Sequence, residues 1–378
     1  LFLPVLGAIA LWLFDETHMV RTATLTITLV ELALCVFVLL RFVPDSASMQ
    51  FTERVPWIPA LGVSYHLGVD GISVLFVGLT AFLTVLVVVY SWDTIRQQVK
   101  LYMMCLLALE TTTMGVFVSL DLILFFVFWE LMLIPSYFLI KLWGGGAERQ
   151  YAALKFVLYT LFGSVFMLVG IALLNINFNH WASLHHAELT YSFDLIELLA
   201  VPIPLGQQML IFWLMFMGFA FKAPVFPFHT WLPDAAAEAT PGTATLLVGV
   251  LDKVGTFGMI RYCLPIFPAA SAFYAPIVIA MALIGIFYGA YVALGQSDIK
   301  RLFAYSSMSH FGFIVLGIFV MTTQGISGSA FYMVNHGFST AALFLVAGWL
   351  AARRNSTQIA DFGGLQRVTP VLAWSFFI

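Results

Sequence analysis

The sequence predicts an all-α polytopic membrane protein. Three observations carry that expectation. Of its 378 residues, 62% are apolar and only 9% charged, with a mean hydropathy of +0.99, against roughly 25% charged in an ordinary soluble domain. Apolar runs close to the length of a bilayer span recur along the whole chain, and Lys and Arg gather on alternate connections between them. The composition excludes a soluble enzyme and a disordered tail. No basic stretch is long enough to neutralise a run of phosphates, so no nucleic-acid partner is expected. Aromatic residues make up 16%, with 37 Phe, so side chains rather than cofactors are expected to fill the space between helices. The net charge of −3 singles out no partner.

A spanning helix needs about 20 apolar residues, since it rises about 1.5 Å per residue through roughly 30 Å of hydrocarbon. Spans are expected at 1–14, 22–42, 71–92, 101–118, 120–141, 152–175, 209–229, 241–266, 273–296, 299–321 and 326–351, with a twelfth beginning near Pro370 and cut off at Ile378. That makes about 11 complete or partial transmembrane helices and the start of another. The first run has no initiator Met, basic flank or cleavage site, and is expected to be a clipped helix rather than a signal peptide. The stretch 101–141 is too long for one helix and is divided at Asp121. The longest loops, 43–70 and 176–208, are rich in Pro or His.

Charge supplies a check that does not use hydropathy. Eleven cations fall on or beside one set of alternate loops: Arg21, Arg96, Lys100, Lys141, Arg149, Lys155, Lys300, Arg301, Arg353, Arg354 and Arg367. Arg41, Arg54 and Arg261 fall on the other set. By the positive-inside rule the basic loops are cytoplasmic and the first residues lie outside.

Cys35, Cys105 and Cys263 each stand alone, with no C-x-x-C pair and no Cys/His cluster at ligand spacing. His185 and His186 are adjacent in a loop, the geometry of a solvated surface. No iron–sulfur cluster, haem or zinc is expected.

Lys222 and Lys253 can be assigned to neither surface. Lys222 lies near the middle of 209–229 and Lys253 near the middle of 241–266. Glu130, His310 and His336 occupy similar depths in their own spans, as do Glu31 and Glu110. A charge at the bilayer centre costs about 2.5–3.5 kcal/mol on insertion scales, so such residues face a polar interior, pair, or line an ion path. Scattered pairs that merely fix helix packing would explain one or two of them. Two lysines, a glutamate and two histidines at a common depth on five helices read instead as a row of groups that trade protons. Burial drives acids and bases toward neutrality, and an opposite charge holds them ionised, so changing a pair's spacing takes up or releases a proton. Histidine needs the smallest perturbation.

Lys222 also opens a run with Pro224, Pro227 and Pro233, and each Pro removes a backbone donor. Such backbone is tolerated at membrane depth where protein or water satisfies it, and a broken helix beside a buried Lys suits a transporter. A faint internal repeat agrees. Asp121-Leu122-Ile123-Leu124-Phe125-Phe126 and Asp298-Ile299-Lys300-Arg301-Leu302-Phe303 open two spans at an offset of 177, which places Glu130 opposite Ser307 and the counterpart of Lys222 near position 400.

These residues carry a resemblance. Trp129-Glu130-Leu131-Met132-Leu133-Ile134-Pro135, the run from Phe221-Lys222 to His229-Thr230-Trp231-Leu232-Pro233-Asp234, and Leu251-Asp252-Lys253-Val254-Gly255 resemble the fifth, broken seventh and eighth helices of the antiporter-like membrane subunits of complex I. Asp298-Ile299-Lys300-Arg301 through Ser309-His310-Phe311-Gly312, and Asn335-His336-Gly337, resemble their tenth and eleventh helices. The likeness is greatest to the M-type (chain 4) subunits of bacterial NADH–quinone oxidoreductase, and the D subunits of multisubunit cation/proton antiporters are close relatives.

The resemblance implies a fold of fourteen helices with two inverted five-helix repeats, each holding a discontinuous helix. On this chain that gives N-terminal helices over 1–100, a first repeat over 101–266 and a truncated second over 267–378. It implies proton-path roles for Glu130, Lys222, Lys253, His310 and His336, with Glu130 and Lys222 as a charge pair modulating proton uptake. Lys253, His310 and His336 would relay the proton along the central axis. His229, Glu110 and Asp252 are weaker candidates. Asp252 lies about 100° around a helix from Lys253 and is expected to point away from it. Glu31 is a buried acid to which the sequence assigns no role; contact with a neighbouring subunit is one reading. The ionisable residue of the twelfth helix is expected past Ile378.

The function implied is a proton-translocating membrane-arm subunit of a respiratory NADH–quinone oxidoreductase in the bacterial plasma membrane. FMN, iron–sulfur clusters and quinone would sit on partner subunits, and none on this chain. Its partners would be other membrane-arm subunits, neighbouring antiporter-like ones among them, and lipid. A cation/proton antiporter subunit with no redox partner and a purely structural membrane subunit are the alternatives.

Overall fold

In the computed structural model, which describes residues 1–186 and 191–377, long apolar helices stack side by side, and ten of them are long and apolar enough to cross a membrane. A shorter helix α1 (Leu3–Ala10), continued by a tight turn to Leu13, precedes α2 (Thr17–Arg41). Then come α3 (Ser73–Thr94), α4 (Val99–Val118), and the pair α5 (Leu122–Leu131) and α6 (Leu133–Trp143), which together make one span. The chain continues through α7 (Arg149–Leu184), short α8 (Leu195–Leu199), α9 (Leu205–Lys222) and α10 (Trp231–Glu238). The next span is Pro241–Ile266, built from α11 (Pro241–Leu246), α12 (Lys253–Gly258) and α13 (Leu264–Ile266) around two π-helical segments. Last are α14 (Pro268–Leu294), α15 (Ile299–Phe319), α16 (Thr323–Arg354), α17 (Leu365–Val368) and α18 (Pro370–Phe377). These match the expected spans in order. Ile378, where the twelfth was expected to be cut, lies outside the described residues.

Several boundaries differ for physical reasons. The helix expected at 152–175 runs from Arg149 to Leu184, because the polar stretch after Asn175 continues it past the apolar run. The span expected at 209–229 stops at Lys222, where Pro224 and Pro227 withhold backbone donors. Loop 43–70 is not irregular. It folds into an antiparallel hairpin, β1 (Gln50–Ile58) with β2 (Val63–Val69), whose second strand is buried against the bundle. A strand this short gives too weak a periodic signal beside a membrane span. Residues 187–190 of loop 176–208 lie outside the described residues.

Burial ranks the spans. In the most apolar window of each, 94% of residues are buried in Pro241–Ile266, against 22% in α2 and 33% in α14. The helix carrying Lys253 is therefore central, and α2 and α14 present broad apolar faces outward. Small residues let backbones approach where the site forms. A Cβ on Gly163 of α7 would sit 2.6 Å from Phe221 Cβ, and one on Gly218 of α9 would sit 2.7 Å from Met167 Cβ.

One backbone device occurs twice. The Asp121 carboxylate accepts from Ile123 N and Leu124 N at 2.9 and 3.1 Å, and its residue bridges Asp194. The Asp298 carboxylate accepts from Lys300 N and Arg301 N at 2.9 and 3.0 Å, and its residue bridges Gln358. The flanking bonds correspond too: Leu122 N to Phe193 O with Leu195 N to Leu120 O, and Ile299 N to Thr357 O with Ile359 N to Ser297 O. The two devices lie at opposite ends of the bundle. Asp121 adjoins the hairpin through Ser64 N at 2.8 Å, while Lys300 beside Asp298 reaches Ala239 O at 3.1 Å.

That second end gathers the basic loops. Arg21 donates to Ile95 O at 2.8 Å, Arg149 to Gly144 O at 2.9 Å, and Gly145 N to Glu238 O at 2.9 Å. The hairpin end holds Arg54 on Glu197 at 2.5 Å and Arg261 on Asp70 at 2.6 Å.

Candidate functional site

The break after α9 creates the first part of the site. Ahead of Pro224 the helix cannot continue its ladder, and Val225 N reaches back to Ala220 O at 3.0 Å instead. The indole N–H of Trp231 then donates to Phe221 O at 2.8 Å. A carbonyl freed by the break is thus paired inside protein, as membrane depth requires. Lys222, the last residue of α9, is fully buried, and its Nζ has no hydrogen-bond partner among the described residues. It stands 5.6 Å from the ring centre of Trp129 and 5.2 Å from that of Phe156, distances at which a ring face attracts a cation.

Glu130 lies two residues ahead of the irregular turn at Met132, where Pro135 withholds the N–H that Leu131 O would accept. Its Oε1 is buried without a partner. Glu130 and Lys222 are within electrostatic reach of each other, yet no ion pair closer than 4.0 Å joins them among the described residues. The expected charge pair is open in this arrangement.

Lys253 presents the opposite case. Its Nζ donates to the Val248 carbonyl and to Asp252 Oδ1 at 3.1 Å, and lies at hydrogen-bond distance, 2.7 Å, from His336 Nδ1. Three partners match the three N–H bonds of an ammonium group. From His336 the cluster continues to His310, whose ring centre is 5.3 Å away, and His310 Nδ1 contacts Tyr332 OH. Lys253, Asp252 and His336 are all buried, on α12, its leading turn and α16. The structure thus joins Lys253, His336 and His310 and leaves Glu130 and Lys222 as a separate, unpaired couple.

Asp252 corrects one expectation. It was expected to point away from Lys253, yet its carboxylate contacts Nζ. The four-carbon Lys stem reaches around the helix, and the π-helical turn Leu247–Leu251 alters the helical phase immediately before Asp252. A second π-helical turn, Met259–Cys263, follows α12. Sequence periodicity carries no sign of either; a lysine flanked by Gly249 and Gly255 within one span is the sole hint.

The remaining candidates lie apart from this cluster. His229 follows the break, buried between the rings of Phe226 at 5.7 Å and Tyr288 at 5.1 Å, with Nδ1 unpartnered. Nearby, toward the basic end, Asp234 binds Lys155 at 2.7 Å and Arg301 at 2.8 Å. Glu110 on α4 is buried with both carboxylate oxygens unpartnered, within electrostatic reach of Glu31 on α2. Sequence reading treated those two acids separately because the α2–α4 contact is not visible in spacing. Tyr332 was missed altogether; a tyrosine six residues into the expected span 326–351 is an ordinary feature of a helix.

Fold and site define an integral membrane protein with a broken helix and a buried row of ionisable side chains. Residues 119–378 match the family described as NADH:quinone oxidoreductase/Mrp antiporter, transmembrane. The chain belongs to that family. It is 43% identical to NADH-quinone oxidoreductase subunit M of Mycobacterium tuberculosis, over 99% of this chain and 73% of that protein. Among solved structures it superposes on a chain of respiratory complex I from Thermus thermophilus with a TM-score of 0.86 and 31% identity, covering 99% of this chain and 75% of that one. A chain of the Mrp complex from a Dietzia species shares the fold, with a TM-score of 0.83 at 23% identity, covering 99% and 68%.

Proposed function

We propose that this chain is a proton-translocating membrane-arm subunit of a respiratory NADH–quinone oxidoreductase, with Glu130, Lys222, Lys253, His336 and His310 as its proton path. The observation that carries the reading is the contrast between the two lysines: among the described residues Lys222 Nζ has no hydrogen-bond partner and Lys253 Nζ has three. Lys253 thus has partners of its own while Lys222 relies on the nearby Glu130 charge, so a charge change that alters the Glu130–Lys222 spacing changes where a proton rests. Redox chemistry belongs to partner subunits carrying FMN, iron–sulfur clusters and quinone. The neighbours are other membrane-arm subunits, antiporter-like ones among them, and the two repeats span 101–266 and 267–378. The basic end faces the cytoplasm of a bacterial cell, following the positive-inside rule.

Because the family also takes in Mrp antiporters, a cation/proton antiporter subunit using the same residues is the second reading. One experiment addresses both. The full-length gene carrying Glu130→Gln is compared with wild type in inverted membrane vesicles, following NADH oxidation and acidification together and verifying assembly. Loss of NADH-driven acidification in an assembled complex supports the pump. Wild-type chain that acidifies only when a counter-cation gradient replaces NADH supports the antiporter. Unchanged oxidation and acidification in the variant would mean the buried charges are structural.

A further inference from the structure

Asp252 is a buried acid in contact with Lys253 that the proton path above does not use. Its residue is fully buried, Oδ1 lies 3.1 Å from Lys253 Nζ, and Oδ2 is buried with no donor among the described residues. An unpaired carboxylate oxygen at such depth is costly, so its presence asks for a role beyond packing.

The helix contacts show which way the residue looks. Asp252 and Gly255 stand three apart and share a helix face. Gly255 is pressed onto the end of α9: a Cβ there would lie 2.5 Å from Phe219 O and 2.7 Å from Ala223 Cβ. Ala223 directly follows Lys222. The face that carries Asp252 therefore adjoins the broken end of α9, and Lys222 and Asp252 are within electrostatic reach of each other. One carboxylate thus has a lysine in contact at one oxygen, on a helix face that adjoins the end of α9 carrying the second lysine.

From this placement we infer that Asp252 is the carboxylate through which a proton passes from Lys222 to Lys253. The inference rests on the proton-path reading of the two lysines. In the first step an N–H bond of the Lys222 ammonium breaks and an O–H bond forms at Asp252 Oδ2, leaving a neutral amine and a neutral acid. In the second the carboxyl group turns about its Cβ–Cγ bond to bring the O–H to Lys253 Nζ, the O–H breaks and an N–H bond forms on the neutral amine of Lys253, restoring the carboxylate and creating the ammonium. No charge is created or lost. A short-lived neutral pair replaces a cation and an anion, which low-dielectric surroundings favour. Lys253 then holds its proton against His336 Nδ1, the next acceptor in line.

The test uses the whole complex in inverted vesicles, with Asp252→Asn, Asp252→Glu and, as reference, Glu130→Gln. The titratable groups around Asp252 are Lys253, Lys222 and His336, with Glu130 and His310 beyond them, so acidification per NADH oxidised is measured across roughly pH 6–8. Asp252→Asn is expected to lower that ratio about tenfold or more at every pH, and Asp252→Glu to restore it. Recovery of Asp252→Asn at the acid end would mark a counter-ion rather than a relay and overturn the inference, as would a loss that Asp252→Glu does not repair. Wild-type pumping in Asp252→Asn beside loss in Glu130→Gln overturns the inference and leaves the pump standing. Wild-type pumping in both removes the pump reading with it. Should Asp252→Asn not assemble, the wild-type complex is treated with an apolar carbodiimide, which reacts with protonated carboxyls in apolar surroundings, and adducts are mapped by mass spectrometry. An adduct at Asp252 supports the relay, and its absence overturns it.

Discussion

Lys253 Nζ of α12 lies 2.7 Å from His336 Nδ1 of α16. This contact ties the most buried span of the bundle to α16. When Lys253 is an ammonium, which can only donate, Nδ1 accepts and the ring proton sits on Nε2, an atom buried without a partner among the described residues. The ring of His310 lies beside it. The contact thus both ends the lysine segment and points onward.

Replacing the imidazole while keeping an acceptor separates these roles. His336→Gln is expected to assemble, since a side-chain amide oxygen can still meet Lys253, yet to lower NADH-driven acidification about tenfold or more. Acidification and NADH oxidation read in the same vesicles check this. An assembled variant that pumps normally would remove His336 from the path.

The close approach of α12 and α9 holds the two lysine segments in register. Gly255→Leu pushes a side chain into Phe219 O and Ala223, so the purified complex is expected to lose about 1–3 kcal/mol of stability. Thermal unfolding followed by quinone-reductase inactivation measures it. Gly145→Ala, where an added Cβ meets open space, serves as the control and is expected to change nothing.

Asp70 lies outside the spans and binds the Arg261 guanidinium at 2.6 Å. Burial works against its charge, but the attraction and hydrogen bond of Arg261 hold its carboxyl below the ordinary aspartate value. The sign follows from linkage. A lowered folded value contributes stability that is complete above about pH 4 and fades as pH falls through the folded value. Asp70→Asn should therefore melt below wild type at neutral pH, with the gap closing under acid. A gap that stays constant with pH would show that the ion pair contributes nothing.

Each Asp cap holds both a helix start and a bridge to a distant segment. Asp298→Ala is expected to cost about 0.5–2 kcal/mol from the lost cap, and also to free Thr357, whose hydroxyl donates to the Asp298 carboxylate. Limited proteolysis near Ser356 should increase. An unchanged cleavage pattern would contradict the clamp.

Much of this was legible in the sequence, and the reasons are particular. The spans were readable because hydrocarbon thickness sets one length for all of them. Lys222, Lys253, His310 and His336 stood out because charge is expensive where they lie, and Pro224 with Pro227 announced the break beside Lys222. What sequence could not show depends on phase and on distant contacts. The 100° separation that turned Asp252 away assumed an uninterrupted α-helix and a side chain pointing radially. A π-helical turn and a long lysine stem removed both assumptions. The hairpin Gln50–Val69 and the approach of Glu31 to Glu110 are made by segments whose partners are far along the chain.

Lys222→Met gives the most direct test of the central claim. Lys222 Nζ makes no hydrogen bond among the described residues, so the substitution by an apolar chain of similar size orphans no hydrogen-bond partner, and assembly of the variant is verified alongside its pumping. Inverted vesicles carrying the assembled variant are energised with NADH, and acidification is compared with wild type at matched oxidation rates. Loss of acidification in an assembled complex that still oxidises NADH is the predicted result: the charge is there to carry protons. Acidification equal to wild type would contradict the account, because the lysine at the helix break would then have no part in moving them.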